Sequence, residues 1–104
     1  MITNKELINN YLISLKDRIF KILPLFEEEN DGLFKYIDSL SHEMCGLQNL
    51  VVVLNNNYLY LSVLGTLESL LDEAVSSDYD LKMVRSDVFR CMTCIDKLLD
   101  GDKQ

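Results

Sequence analysis

Residues 44–67 read MCGLQNLVVVLNNNYLYLSVLGTL, 24 positions without one charged side chain, closed by Glu43 before and Glu68 after. Fifteen of the 24 are apolar or tyrosine, in a chain that is 26% charged, so the gap demands a buried helix pair, a hairpin or a docking surface. Two readings compete. The run Asn49-Leu50-Val51-Val52-Val53-Leu54, three asparagines, then Tyr58-Leu59-Tyr60-Leu61 is how a β-hairpin is written, and asparagine tolerates the left-handed turn. Against it, Ile37, Leu40, Met44, Leu47, Val51 and Leu54 follow a 3-4-3-4-3 spacing that enters the stretch from outside and runs through it. A lone two-stranded ribbon is also marginal in water. The helix reading is preferred, and α+β with a hairpin over 49–64 is the alternative.

Working outward, the same period occurs three more times. Ile8, Leu12, Leu15, Ile19, Ile22 and Phe26 form a first seam, opened by Thr3 and Glu6 as a capping box. Pro24 lies opposite that seam and predicts a kink or an early end near Leu23. Tyr60, Leu64, Leu67, Leu71 and Ala74 form the third seam, and Leu81, Val84, Val88, Cys91, Ile95 and Leu98 the fourth. Turn chemistry separates them: Glu27-Glu28-Glu29-Asn30-Asp31-Gly32, where Asn30 or Asp31 should cap the second helix, and Ser76-Ser77-Asp78, where Asp78 or Asp80 should cap the fourth. Gly101 is placed to cap the last helix. Helices at roughly 4–27, 31–54, 57–76 and 79–99, joined by short loops, predict an all-α, antiparallel up-down-up-down four-helix bundle within a single domain, 1–104.

Composition narrows function mainly by exclusion. The net charge is −7, and it is segregated: residues 1–24 sum to +2, residues 25–80 to −10 with Lys35 as their one basic group, and residues 81–104 to +1. Phosphate backbones need the opposite sign, so no direct nucleic-acid binding is expected. The asparagines interrupt the uncharged stretch well short of a membrane span, and residues 1–10 lack the basic and apolar regions of a signal peptide. Three cysteines without framework spacing point to reduced thiols and a cytoplasmic location.

Candidate chemistry is sparse. His42-x-x-Cys45 and Cys91-x-x-Cys94 supply four zinc-ligand types, but tetrahedral zinc needs all four around one point. The seam positions place His42 on an outer face and Cys91 inward, so His42, Cys45, Cys91 and Cys94 are weak metal candidates. A thioredoxin-type reading of the cysteine pair lacks the preceding strand. Glu68 and Asp72, one turn apart, leave a metal-dependent enzyme as a remote alternative; the Glu-x-x-His helix motif of di-iron bundles is missing. No phosphate loop or nucleophile motif occurs, and neither catalytic residue, cofactor nor small-molecule substrate is expected.

The uncharged stretch carries surplus apolar groups. With Val51, Leu54, Tyr60 and Leu64 assigned to seams, Val52, Val53, Tyr58 and Leu59 are left around the asparagine turn, and Ile13 and Phe20 lie off the first seam. Such leftovers mark an interface. The expectation is a small non-enzymatic protein–protein interaction module binding a partner, or itself as a homodimer, through an apolar tip around 52–59. The acidic middle suggests an alternative, an inhibitor or immunity-type protein that blocks a basic protein such as a nuclease. The Lys/Asn/Ile/Leu-rich composition is that of low-GC bacteria and their phages and plasmids, hence an accessory protein of a mobile element.

Overall fold

The computed structural model describes residues 5–51, 54–76 and 78–100. They form an all-α bundle: α1 (Lys5–Phe20), α2 (Ile22–Glu27), α3 (Leu33–Gln48), α4 (Tyr58–Val75) and α5 (Leu81–Asp100). Because α1 and α2 are separated by Lys21 alone, the bundle has four arms, and 49–64 is not a hairpin: α4 occupies its second half. Cross-helix pairs fix the sense of packing. Lys16 meets Asp96, Phe20 meets Phe89 and Phe26 meets Tyr79, so one arm rises as the other falls. The same opposition holds for α1 with α3, where Tyr11 reaches Glu43 and Tyr36 reaches Arg18.

The seams are buried much as their spacing requires. Ile8, Leu12, Leu15, Ile19, Ile22 and Phe26 all lie in the core, as do Ile37, Leu40, Met44, Val51 and Leu54. Each such side chain contributes about 1.5–3 kcal/mol by leaving water. The third arm buries a wider face than its heptad positions, adding Val63, Thr66 and Leu70, while Leu81 at the head of the fourth seam is exposed.

The boundaries differ from expectation in instructive ways. The first helix breaks at Lys21, before Leu23, because Pro24 offers no N–H to the Phe20 carbonyl and its ring crowds that turn. The next bond, Leu25 N–H to Lys21 O, is stretched to 3.5 Å. At the end of α2, Asn30 N–H reaches Leu25 O and Glu29 N–H reaches Phe26 O, a Schellman closure with Glu29 in the left-handed region at φ 50°. Neither Asn30 nor Asp31 caps α3 as expected: Asn30 Oδ1 accepts from Gly32 N–H at 2.7 Å, and Gly32 stands at the N-cap with no side-chain cap. Asp80 does cap α5, its Oδ1 accepting from Lys82 N–H at 2.9 Å. Thr3 and Gly101 lie outside the described residues.

The second helix ends at Gln48, six residues short of the expected Leu54. The β-branched run that follows has poor helix propensity, so the chain tightens: Leu50 and Val51 N–H both donate to Leu47 O. Leu54 and Asn55 N–H then both donate to Val51 O, and this compact turn still delivers Val51 and Leu54 to the core. Asn56 takes the left-handed conformation at φ 59°, and Asn57 caps α4 by accepting from Leu59 and Tyr60 N–H at 2.9 and 3.1 Å. The asparagine triplet thus makes the turn its chemistry implies, between two helices instead of two strands.

Candidate interaction surfaces

The α3–α4 connection forms one end of the bundle. Tyr60 is wholly buried beside it, its hydroxyl donating to Met44 O at 2.8 Å, which ties α4 to α3. Around this anchor the apolar groups turn outward: Leu50 is 55% exposed, Tyr58 77% and Leu61 42%. Of the four residues expected to form the tip, Tyr58 is the exposed one, Leu59 is half-buried, and Val52 and Val53 lie outside the described residues. Leu50 and Leu61 were missed from sequence; Leu61 follows Tyr58 by three residues on the same outer face of α4. Exposed Leu7, early in α1, belongs to the same end, since α1 runs against α3.

The four zinc-ligand candidates are not brought together. Cys91 is fully buried with its Sγ directed at Val63 O, and Cys94 Sγ approaches Ser62 Oγ, so both face α4. Burial pushes the Cys91 thiol up to about 12, the nearby Cys94 adding to the effect. His42 and Cys45 are exposed on α3, with His42 Nδ1 2.8 Å from Asp38 O. Among the described residues no three His, Cys, Asp or Glu side chains are grouped to hold a metal ion, Glu68 and Asp72 included.

A polar bridge joins α1 to α3, which make little close backbone contact. Arg18 Nη2 lies 2.8 Å from Glu43 Oε2 and its Nη1 donates to Oε1 at 3.1 Å, a two-pronged pair. Tyr11 adds a hydroxyl to Glu43 at 3.1 Å, and Tyr36 donates to Arg18 O at 2.7 Å. The Arg18 hydrogen bond, aided by its charge, holds the Glu43 carboxyl below its ordinary range against the opposing push of burial. Burial raises the Tyr11 hydroxyl, and Glu43 adds to that. A groove of about 410 Å³ opens beside the bridge, with Lys35 and Ser39 on its wall.

Two further surfaces lie on α5. Toward α1, half-exposed Phe20 and Phe89 meet with ring centroids 6.4 Å apart, and Met92 lines a shallow groove with Phe20. Toward α4, a cleft of about 660 Å³ carries Asp72, Glu73, Asp80 and the nearly buried Asp87. Seam reasoning gave no warning of Asp87: it lies three residues after Val84, at the edge of the buried face. Among the described residues no helix is long and apolar enough to cross a membrane. The chain matches no family model, no curated protein and no solved structure, so its own geometry carries the functional argument.

Proposed function

We propose that this chain is a non-enzymatic interaction module that docks a protein partner on the apolar end around the α3–α4 connection. The observation that carries the reading is the exposure of Leu50, Tyr58 and Leu61 within a stretch free of charge, beside a core that already holds Val51, Leu54 and Tyr60. Those three side chains lie outside the buried core, and exposed tyrosine and leucine beside one another favour association. Three unpaired cysteines favour a cytoplasmic setting, and the composition favours a bacterial or mobile-element accessory protein.

The test is affinity capture from the native host with the natural chain and with Leu50→Asp and Tyr58→Asp, alongside size-exclusion chromatography with light scattering. The substitutions should abolish capture or dimerisation while leaving the circular dichroism spectrum unchanged. Undiminished association in both variants refutes the tip. A second reading rests on the −10 carried by residues 25–80, which suits an inhibitor of a basic protein. It requires binding that weakens steeply with salt, and salt-insensitive binding rejects it.

A further inference from the structure

We propose that two copies of this chain associate through the α1–α5 side of the bundle, about a two-fold axis close to the Phe20 and Phe89 rings. This side is separate from the α3–α4 end, so the contact does not rest on the reading of that end and leaves it free for a different partner.

Three large apolar side chains stand half in water here. Phe20 and Phe89 are each 45% exposed, and Ile13, seven residues before Phe20 on the same face of α1, is 50% exposed. Met92 lines a groove beside Phe20. The two rings meet across the helices at a centroid separation of 6.4 Å, and the Lys16–Asp96 pair at 2.7 Å ties the same two helices. Both arms therefore hold the patch in place before anything binds, which lowers the ordering cost of association. Phenylalanine and methionine are also the residue types that interface centres favour.

Charge identifies the occupant. Two copies of a chain with net charge −7 repel one another, most of all through the −10 of residues 25–80, which include α3 and α4. The segments that hold α1 and α5 sum to +2 and +1, so on this side two copies can meet with their acidic middles turned away. The local charges are self-complementary as well. Asp17 and Lys21 flank Phe20 at the i,i+4 spacing that commonly pairs on a helix, yet among the described residues neither forms an ion pair. A two-fold contact sets Asp17 of one copy against the partner's Lys21, and the reverse, so both charges are answered. An acidic partner would leave Asp17 facing a like charge, and a basic one would do the same to Lys21. The bundle measures 41 × 23 × 19 Å, so a long side offers roughly the 800 Å² per partner that a stable dimer buries.

The test is size-exclusion chromatography with light scattering on the full chain, with sedimentation equilibrium for affinity. The natural chain should show twice its 12.0 kDa. Ile13→Asp, at an exposed position outside the core, should show a single copy at the same concentration with an unchanged circular dichroism spectrum, and so should Phe89→Asp. Asp17→Lys and Lys21→Asp should each weaken the dimer about tenfold or more, and the double variant should regain most of that loss, because the swap restores both pairs. Leu50→Asp, at the α3–α4 end, should dimerise as the natural chain does. The proposal is overturned by a natural chain that stays monomeric at about 1 mM. Dimers that persist in Ile13→Asp and Phe89→Asp overturn it too, as does a double variant no stronger than either single one. Loss of the dimer in Leu50→Asp assigns the contact to the α3–α4 end and likewise overturns it.

Discussion

Replacing Glu43 by glutamine tests how α1 is held to α3. The carboxylate accepts from both Arg18 terminal nitrogens and from the Tyr11 hydroxyl, whereas glutamine carries no charge and keeps only one accepting oxygen, so the ion pair and at least one of the three bonds are lost. Arg18 and Glu43 side chains are 31% and 39% exposed, which screens the pair heavily. An exposed ion pair is worth about 0.2–1 kcal/mol, and the good two-pronged geometry with a tyrosine attached places this one near the top of that range. Glu43→Gln should therefore cost about 1 kcal/mol, which lowers the melting temperature by roughly 4–8 °C in a domain of this size. Thermal unfolding by circular dichroism provides the assay, with Arg18→Ala and the double variant completing a cycle that isolates the coupling. The pH dependence follows from the depressed Glu43 pKa. Its stabilisation is present above the ordinary carboxylate value of the unfolded chain and is lost as pH falls through the lower folded value. The gap between natural and Glu43→Gln melting temperatures should thus close as acid protonates Glu43. Zero coupling in the cycle, or a gap unchanged from neutral pH into strong acid, refutes the bridge as a source of stability.

Three further outcomes are expected. Glu29→Gly should stabilise by about 0.5–1 kcal/mol, since Glu29 holds a left-handed conformation that glycine adopts freely and places an acid at a helix C-terminus; an unchanged or lowered melting temperature contradicts this. Asn57→Ala should destabilise by about 1 kcal/mol through loss of the two bonds capping α4, measured by urea unfolding; a variant as stable as the natural chain would show that the cap contributes nothing. In the native protein a thiol reagent should modify exposed Cys45 quickly and Cys91 only on unfolding, because burial holds that thiol protonated at neutral pH. Peptide mapping after brief exposure checks it, and early labelling of Cys91 counts against its burial.

The places where sequence reasoning succeeded and failed share a cause. Heptad spacing located Leu15, Ile19, Ile37, Met44, Leu67, Val88 and Ile95 in the core because burial along a helix repeats with the helix itself. Applied to Val51 and Leu54, the same rule gave the right burial from the wrong element: α3 has ended, and a tight turn delivers both side chains inward. Propensity in Asn49–Val53 overrode periodicity there, and the β-branched run that first suggested a strand is the feature that stops the helix. The asparagine turn was legible because capping and left-handed turns depend on neighbouring residues alone. Of the candidate tip, Tyr58 was legible as a residue left over from the seam, whereas Leu50 and Leu61 were not, since their exposure depends on how α3 stops.

The amino-acid sequence by itself determined the four helical arms, most of their inward-facing residues and where the turns fall, because each follows from interactions within a few residues along the chain. Tertiary structure alone decided what those helices do to one another. Arg18 with Glu43, Phe20 with Phe89, and Asp87 with Asp72 and Glu73 are separated by 14 to 69 positions in sequence and come together only through the packing of the arms. A periodic pattern states which side of a helix is buried. It does not state how far that helix is rotated toward either neighbour, and that rotation sets which flanking side chains pair, which are left exposed, and which charge is drawn under the surface.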